Sequence, residues 1–155
     1  MHPSELVSPA SRVARIAFAG PSGAPVRRAA TNLALLTGAA LLAASALIHL
    51  YLWADGYRHI ATIGPLFLVQ GMTGLAVSVL LVAYPRVATA AAGSGYLLAT
   101  VAAFAISASG GLFGFQDMLD APWARPALVV EIAGLACLVV GAALPLRARS
   151  RFLRP

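Results

Sequence analysis

The chain has 155 residues, of which 60% are hydrophobic and 10% are charged, and its formal net charge is +6. A soluble domain normally carries about a quarter charged residues. This composition, with a mean hydropathy of +0.85, therefore excludes an ordinary soluble domain and predicts a membrane protein. All the basic residues are arginines, concentrated in the two chain ends. This favours contacts with the lipid bilayer, and with anionic lipids at the arginine tails, over nucleic-acid binding.

The first 28 residues are rich in proline, serine, alanine, glycine and arginine. The prolines interrupt any long helix, and the stretch offers little apolar surface to bury. We therefore expect residues 1–28 to form a disordered basic tail. A membrane domain over residues 29–146 and a second basic tail over residues 147–155 follow.

Four apolar segments predict membrane spans at about residues 31–53, 63–84, 87–109 and 126–146. About twenty helical residues at 1.5 Å each cross a hydrocarbon core of about 30 Å. The helices are interrupted at Asp55-Gly56, at Pro85 and at Gly110-Gly111. The predicted fold class is an all-α membrane protein, a four-span antiparallel transmembrane helix bundle.

The arginines also predict an orientation. Each tail carries four of them, and the short loop between the second and third spans carries Arg86, whereas the other two loops carry one each and three of the five acidic residues. Four spans place both tails and the middle loop on one side, and basic loops stay inside. We therefore expect a multi-pass plasma-membrane protein with both termini in the cytoplasm.

Ionisable residues inside a membrane are costly and mark candidate sites. His49 in the first span and Glu131 in the fourth stand out, and Gln70 and Ser107 lie at comparable depth in the other two. The sequence predicts one polar layer in the outer half of the bilayer, with Glu131 protonated or paired, first with His49 and then with Gln70. This layer is either a site for a ligand, proton or cofactor, or a cluster of hydrogen bonds that fixes helix packing.

The two predicted outer loops carry a second set of polar residues: Asp55, Arg58, His59, Asp117 and Asp120. The two aspartates of the second loop indicate a solvated loop or, alternatively, attraction of cations. The histidines at 49 and 59 are possible metal or haem ligands, but their spacing is loose and the ligand set is incomplete. We predict no metal site and no cofactor.

Motifs of catalytic chemistry do not occur in the sequence: there is no G-x-S-x-G, H-E-x-x-H or Walker loop. The single cysteine, Cys137, lies in an apolar segment without a C-x-x-C partner. These observations favour a non-enzymatic protein without excluding an enzyme.

Small residues recur every four positions in the third span, at Gly95, Ala99, Ala103, Ser107 and Gly111. Such a ridge lets a neighbouring helix approach closely, and pairs of glycines in the second and fourth spans are suited to the same purpose. The ridges support packing of the bundle. We expect a homo-oligomer or a subunit of a larger membrane complex.

Three functions are consistent with these features. The first is a non-enzymatic accessory or scaffold component of a membrane complex. The alternative is a small proton- or cation-handling transporter that uses Glu131 and His49, and the second alternative is a haem- or quinone-associated redox membrane protein that uses His49.

The stretch HLYLWADGYRHIATIGPLF, from His49 to Phe67, resembles a segment of uncharacterised small four-helix integral membrane proteins of high-GC actinobacteria. The resemblance covers roughly the first two spans and implies a four-helix membrane fold. It brings no activity, cofactor or catalytic residue with it. The general layout is also similar in architecture to DoxX-like proteins.

Overall fold

The computed structural model describes residues 24–152, and side chains from residue 25 to residue 144. Four α-helices make up most of this part of the chain: α1 (Ala24–Asp55), α2 (Ile63–Ala83), α3 (Val87–Gly110) and α4 (Ala124–Phe152). A 3-10 helix, Tyr57–His59, lies between α1 and α2. The described residues contain no β-strand beyond a single bridge between Leu112 and Phe115. The predicted all-α four-helix bundle is confirmed.

Each of these four helices is long and apolar enough to cross a membrane. Their outward-facing side chains are apolar as well, since Leu33, Val69 and Val129 are 67%, 61% and 67% exposed. Apolar surface of this kind is unfavourable in water and well tolerated against lipid chains. The architecture is that of a small multi-pass membrane protein.

The first and last helices extend beyond the predicted spans. Residues 24–28, which we expected in the disordered tail, belong to α1, and residues 147–152, which we expected in the C-terminal tail, belong to α4. Hydropathy locates only the apolar part of a helix, whereas backbone hydrogen bonds can continue past it.

The start of α4 also differs from the prediction. The helix begins at Ala124, because Pro126 is tolerated in a first helical turn, where no hydrogen-bond donor is needed. Arg125, which we expected in the loop, is therefore helical. The predicted disorder of residues 1–23 and 153–155 lies outside the described residues.

The helices form a closed arrangement around a common axis. α1 packs closely against α2 and α4, and α3 packs against α4 and less closely against α2. We call the end that carries residues 56–62 and 111–123 the loop end. The opposite end, where Tyr84–Arg86 connects α2 to α3, is the arginine end.

The half of the bundle nearer the arginine end is filled by an apolar cluster. Its members are Leu35, Ala39, Leu42, Leu81, Ala90, Leu97 and Leu138. Ser78 lies beside this cluster and donates its hydroxyl to the carbonyl oxygen of Ala39 over 2.9 Å. The polar group is thus satisfied where no water is at hand.

Glycines allow the helices to approach each other. A Cβ atom on Gly71 of α2 would lie 2.5 Å from Cγ of Leu50 and 3.1 Å from the carbonyl oxygen of Ala46. A Cβ on Gly134 of α4 would lie 2.9 Å from Cδ1 of Leu97. Close contact between helices supplies van der Waals attraction in lipid, where the hydrophobic drive is missing.

The small-residue ridge of α3 does not lie on one face. Gly95 has no atom within 4 Å of its Cβ position and Ala99 is exposed, whereas Ala103 is half-buried and Ser107 is buried. A step of four residues turns about 400° in a helix of 3.6 residues per turn, so each step rotates the row by about 40°. The row therefore passes from the outer surface into the interior.

The glycine contacts make a direct prediction about stability. We expect Gly71→Ala to destabilise the protein by about 1–3 kcal/mol, because the new methyl group overpacks the contact with α1. Gly110→Ala, at the end of α3, is the control and should be neutral or stabilising, since alanine favours the helix and meets no neighbour. Thermal unfolding in mild detergent measures both, and equal effects of the two changes would refute the packing argument.

Candidate functional site

The half of the bundle nearer the loop end contains a cavity of about 180 Å³. Residues from all four helices and from both connections at this end line it. Its polar lining consists of His49, Gln70, Thr100, Ser107, Asp117 and Glu131. The four residues predicted to form one polar layer therefore share one cavity, although their contacts differ from those we expected.

Glu131 of α4 is 2% exposed. Its Oε1 accepts a hydrogen bond from Oγ of Ser45 on α1 over 2.9 Å. The structure thus places Ser45, rather than His49 or Gln70, as the hydrogen-bond partner of Glu131. Ser45 lies one helical turn before His49 on the same face of α1, so helical spacing was the signal that could have identified it.

His49 is 7% exposed, and its Nδ1 lies 2.8 Å from the carbonyl oxygen of Ser45. A carbonyl oxygen only accepts, so Nδ1 carries the proton of this hydrogen bond. In the neutral ring Nε2 is then the acceptor. The ring also packs against Phe67 with a centroid separation of 5.1 Å, which fixes its orientation.

Two polar atoms of this site face open space. Within the described residues, Oε2 of Glu131 and Nε2 of His49 have no hydrogen-bond partner. Every fully buried side-chain nitrogen or oxygen in this part of the chain has a partner, so these two atoms are not fully buried. Both atoms must therefore reach the surface of the cavity that the two residues line. The cavity therefore presents a carboxyl oxygen and an imidazole nitrogen, both without a protein partner, to whatever occupies it.

A second group of hydrogen bonds joins α2 to α3 at the edge of the cavity. Nε2 of Gln70 donates to Oγ1 of Thr100 over 2.8 Å, and that hydroxyl donates to the carbonyl oxygen of Tyr96 over 3.0 Å. The Tyr96 hydroxyl donates in turn to the carbonyl oxygen of Gln70 over 2.8 Å. Here polar contacts hold together the two consecutive helices that pack less closely than α1 with α2 or α3 with α4.

Ser107 lines the cavity but acts on the loop. Its Oγ donates to the carbonyl oxygen of Phe115 over 3.2 Å and accepts from the backbone N–H of Asp117 over 3.1 Å. It thereby fastens the connection between α3 and α4 to the end of α3. Ser107 was predicted only to lie at the depth of the polar layer, and its structural role as a loop anchor was missed.

Backbone strain is confined to the loop end. The non-glycine residues with positive φ in the described chain are Thr62, Phe113 and Trp123, at 66°, 51° and 67°. All three lie in, or at the edge of, the two connections that close this end of the bundle.

Aromatic rings form the wall of the cavity at the loop end. Tyr57 stacks on Phe67 with centroids 4.6 Å apart and meets Phe115 edge-on at 5.7 Å. Phe104 and Trp123 also line the cavity. We call Glu131 and His49 the floor of the cavity and these aromatic rings its wall. Together they make an amphipathic chamber.

The remaining loop residues stay outside this chamber. Asp55, Arg58, His59 and Asp120 are exposed, and Nε of Arg58 donates to Nε2 of His59 over 3.0 Å. Asp117 is half-buried at the cavity, so the two loop aspartates have different environments. The histidines at 49 and 59 are not brought together, and in residues 24–152 no three His, Cys, Asp or Glu side chains are grouped to hold a metal ion.

No family model, curated protein or solved structure matches the chain. The resemblance of His49–Phe67 to the actinobacterial membrane proteins therefore stays a prediction. The interpretation of the site depends on its geometry alone.

The environment of Tyr57 generates a titration prediction. Burial, and then the negative charge of Asp117, raise the pKa of the Tyr57 phenol above 10.0, because both disfavour the phenolate. Asp117→Asn removes the second cause, so the pKa of Tyr57 should fall while burial keeps it raised. The ultraviolet absorbance of the phenolate is titrated in the unchanged protein and in Asp117→Asn. Subtracting the titration of the same protein with Tyr57→Phe isolates the signal of Tyr57. Asp120→Asn is the matched control and should leave the value unaltered.

Proposed function

We propose that this chain is a non-enzymatic membrane protein that binds a small, mainly apolar molecule with one polar group in the cavity at its loop end. The observation that carries the proposal is the pair of buried residues, Glu131 and His49, whose free acceptor atoms face an aromatic chamber. A concave, mostly apolar site with a few convergent polar groups is the usual form of a small-molecule site.

Binding of a small molecule explains the polar layer better than a role in helix packing alone. A cluster that served only to fix packing would place its hydrogen-bonding atoms against one another. Ser45 and Thr100 do so, but Oε2 of Glu131 and Nε2 of His49 do not. The hydroxyl of Ser107 is engaged by the loop backbone, which supports binding rather than nucleophilic catalysis.

The apolar packing between the cavity and the arginine end supports binding rather than conduction. Between the cavity and the arginine end lies the apolar cluster, in which Leu42, Leu97 and Leu138 are completely buried. In the described part of the bundle, no chain of polar side chains runs through this cluster from the cavity to the arginine end. Transport of protons or cations would require a second conformation that opens it.

The binding proposal is tested by filling the cavity. Ala103 of α3 lines the cavity, whereas its neighbour Ala102 is exposed and does not. With Trp53 replaced by Phe, the fluorescence of Trp123 reports on the chamber. Benzyl alcohol should change this fluorescence saturably in the parent and in Ala102→Leu, with affinity at least about tenfold weaker in Ala103→Leu. Equal responses of all three proteins would refute the proposal.

We also propose that the protein spans the plasma membrane with both termini in the cytoplasm and the cavity facing outward. The support is the charge distribution: Arg27, Arg28 and Arg86 lie at the arginine end, where they are suited to contact anionic lipids.

Cysteine labelling tests this orientation in intact cells. In a Cys137→Ser background, Phe113→Cys places an exposed thiol at the loop end, and Val87→Cys places one at the arginine end. A membrane-impermeant maleimide should label the first before lysis and the second only after lysis. The reverse pattern would contradict the orientation.

A second candidate function is the accessory or scaffold role, in which the chain assembles with a copy of itself or a larger complex. It is favoured by Gly95, which has open space around it, and by the exposed Ala99 one turn away. Helices associate in lipid through such small-residue surfaces. We expect the Gly95→Leu, Ala99→Leu double variant to give a smaller species by native mass spectrometry, and an unchanged mass would refute this interface.

A further inference from the structure

The carboxyl groups around the cavity have no arginine beside them. Glu131 and Asp117 line it, and no arginine does so in the described part of the chain. The two arginines of the loop end are exposed and engaged elsewhere, because Nε of Arg58 donates to His59 and Nε of Arg125 donates to the carbonyl oxygen of Leu119. The lining therefore holds two acidic side chains and no arginine, and its one basic side chain, His49, uses Nδ1 to donate to the carbonyl oxygen of Ser45.

The free polar atoms at the floor are acceptors. Ser45 donates to one oxygen of Glu131. The other oxygen faces the cavity, although the residue as a whole is only 2% exposed. Nε2 of His49 is an acceptor as well when the ring is neutral. An ionised carboxylate in a water-poor site needs a nearby positive charge, and an anionic ligand would find no cationic partner here.

The aromatic wall is a second feature that suits a positive charge. The faces of aromatic rings attract cations, and ammonium groups are the ligands most often bound in this way. Tyr57, Phe67 and Phe115 form one connected aromatic group beside the floor. An inorganic cation is a poorer fit, since it requires several free oxygen ligands, whereas the hydroxyls of Thr100 and Ser107 and Oδ1 of Asp117 already bond other protein groups.

We propose that the cavity binds a small organic cation, an alkyl- or arylammonium whose charged group lies against Glu131 and whose apolar part lies against the aromatic wall. This inference rests on the proposed binding function and names its ligand class. A cavity of about 150 Å³ accepts benzene, so a volume of about 180 Å³ is suited to a ligand with one ring.

The test uses three probes of similar size and different charge on the full chain in lipid nanodiscs, with Trp53 replaced by Phe. They are benzyltrimethylammonium, its neutral isostere 2,2-dimethylpropylbenzene, and the anion phenylacetate. Trp123 fluorescence should show the cation binding at least about tenfold more tightly than the isostere, with phenylacetate the weakest. Equal affinities for the cation and the isostere would overturn the inference.

Two variants assign the preference to one residue. Glu131→Gln should lose about tenfold or more of the affinity for the cation and keep that for the isostere. Asp120→Asn removes an exposed charge from the same end of the bundle, and cation binding should stay within about twofold of the parent. If Asp120→Asn matched Glu131→Gln, general surface charge would replace the proposed site.

If the Glu131→Gln variant does not fold, the comparison of the cation with its neutral isostere still tests the inference. That comparison uses a protein in which Glu131 is unchanged. A failure of the binding proposal is also distinct from a failure of this inference. In the first case neither benzyl alcohol nor the cation responds to Ala103→Leu. In the second case ligands bind in an Ala103-dependent manner without a preference for positive charge.

Discussion

Hydrocarbon offers no hydrogen bonds, so the polar groups within a membrane bundle must find partners inside it. This constraint explains most of the interior of the protein. Ser78 bonds a carbonyl oxygen of α1, Gln70 bonds Thr100, and Ser45 bonds Glu131. Each of these bonds joins two helices, so the same contacts that satisfy the polar groups also fix how the helices lie against each other.

The two halves of the bundle meet this constraint differently. Near the arginine end, leucines and glycines fill the space, and hardly any polar side chain is present to be satisfied. Near the loop end, larger aromatic rings and polar groups surround a space that side chains leave open. An open space costs contact energy, and it lies where Glu131 and His49 turn acceptor atoms toward it. The incomplete packing and the incomplete hydrogen bonding thus coincide in one place.

Hydropathy and helical rise were sufficient to predict the four helices and to place residues 49, 70, 107 and 131 at comparable depth, but they gave no sign of the cavity. They were not sufficient to pair the side chains. The partner of Glu131 depends on how α1 is rotated about its axis, and a hydroxyl such as that of Ser45 gives no hydropathy signal. The difference between Asp117 and Asp120 depends on the loop path, which the Ser107 hydroxyl determines. The ridge of α3 was identified from its four-residue spacing alone, and each step of that spacing drifts by about 40° around the helix, so its residues end in different environments.

The left-handed backbone at Thr62, Phe113 and Trp123 has a consequence for motion. Each such conformation costs a non-glycine residue about 1–2 kcal/mol, whereas the helix interiors carry no comparable cost. The connections over the chamber therefore lie closer in free energy to their alternative conformations than the helices lie to theirs. Thermal fluctuation would rearrange these two connections while the four helices keep their packing. A molecule from the adjoining water or lipid headgroups could then enter the cavity without unfolding of the bundle.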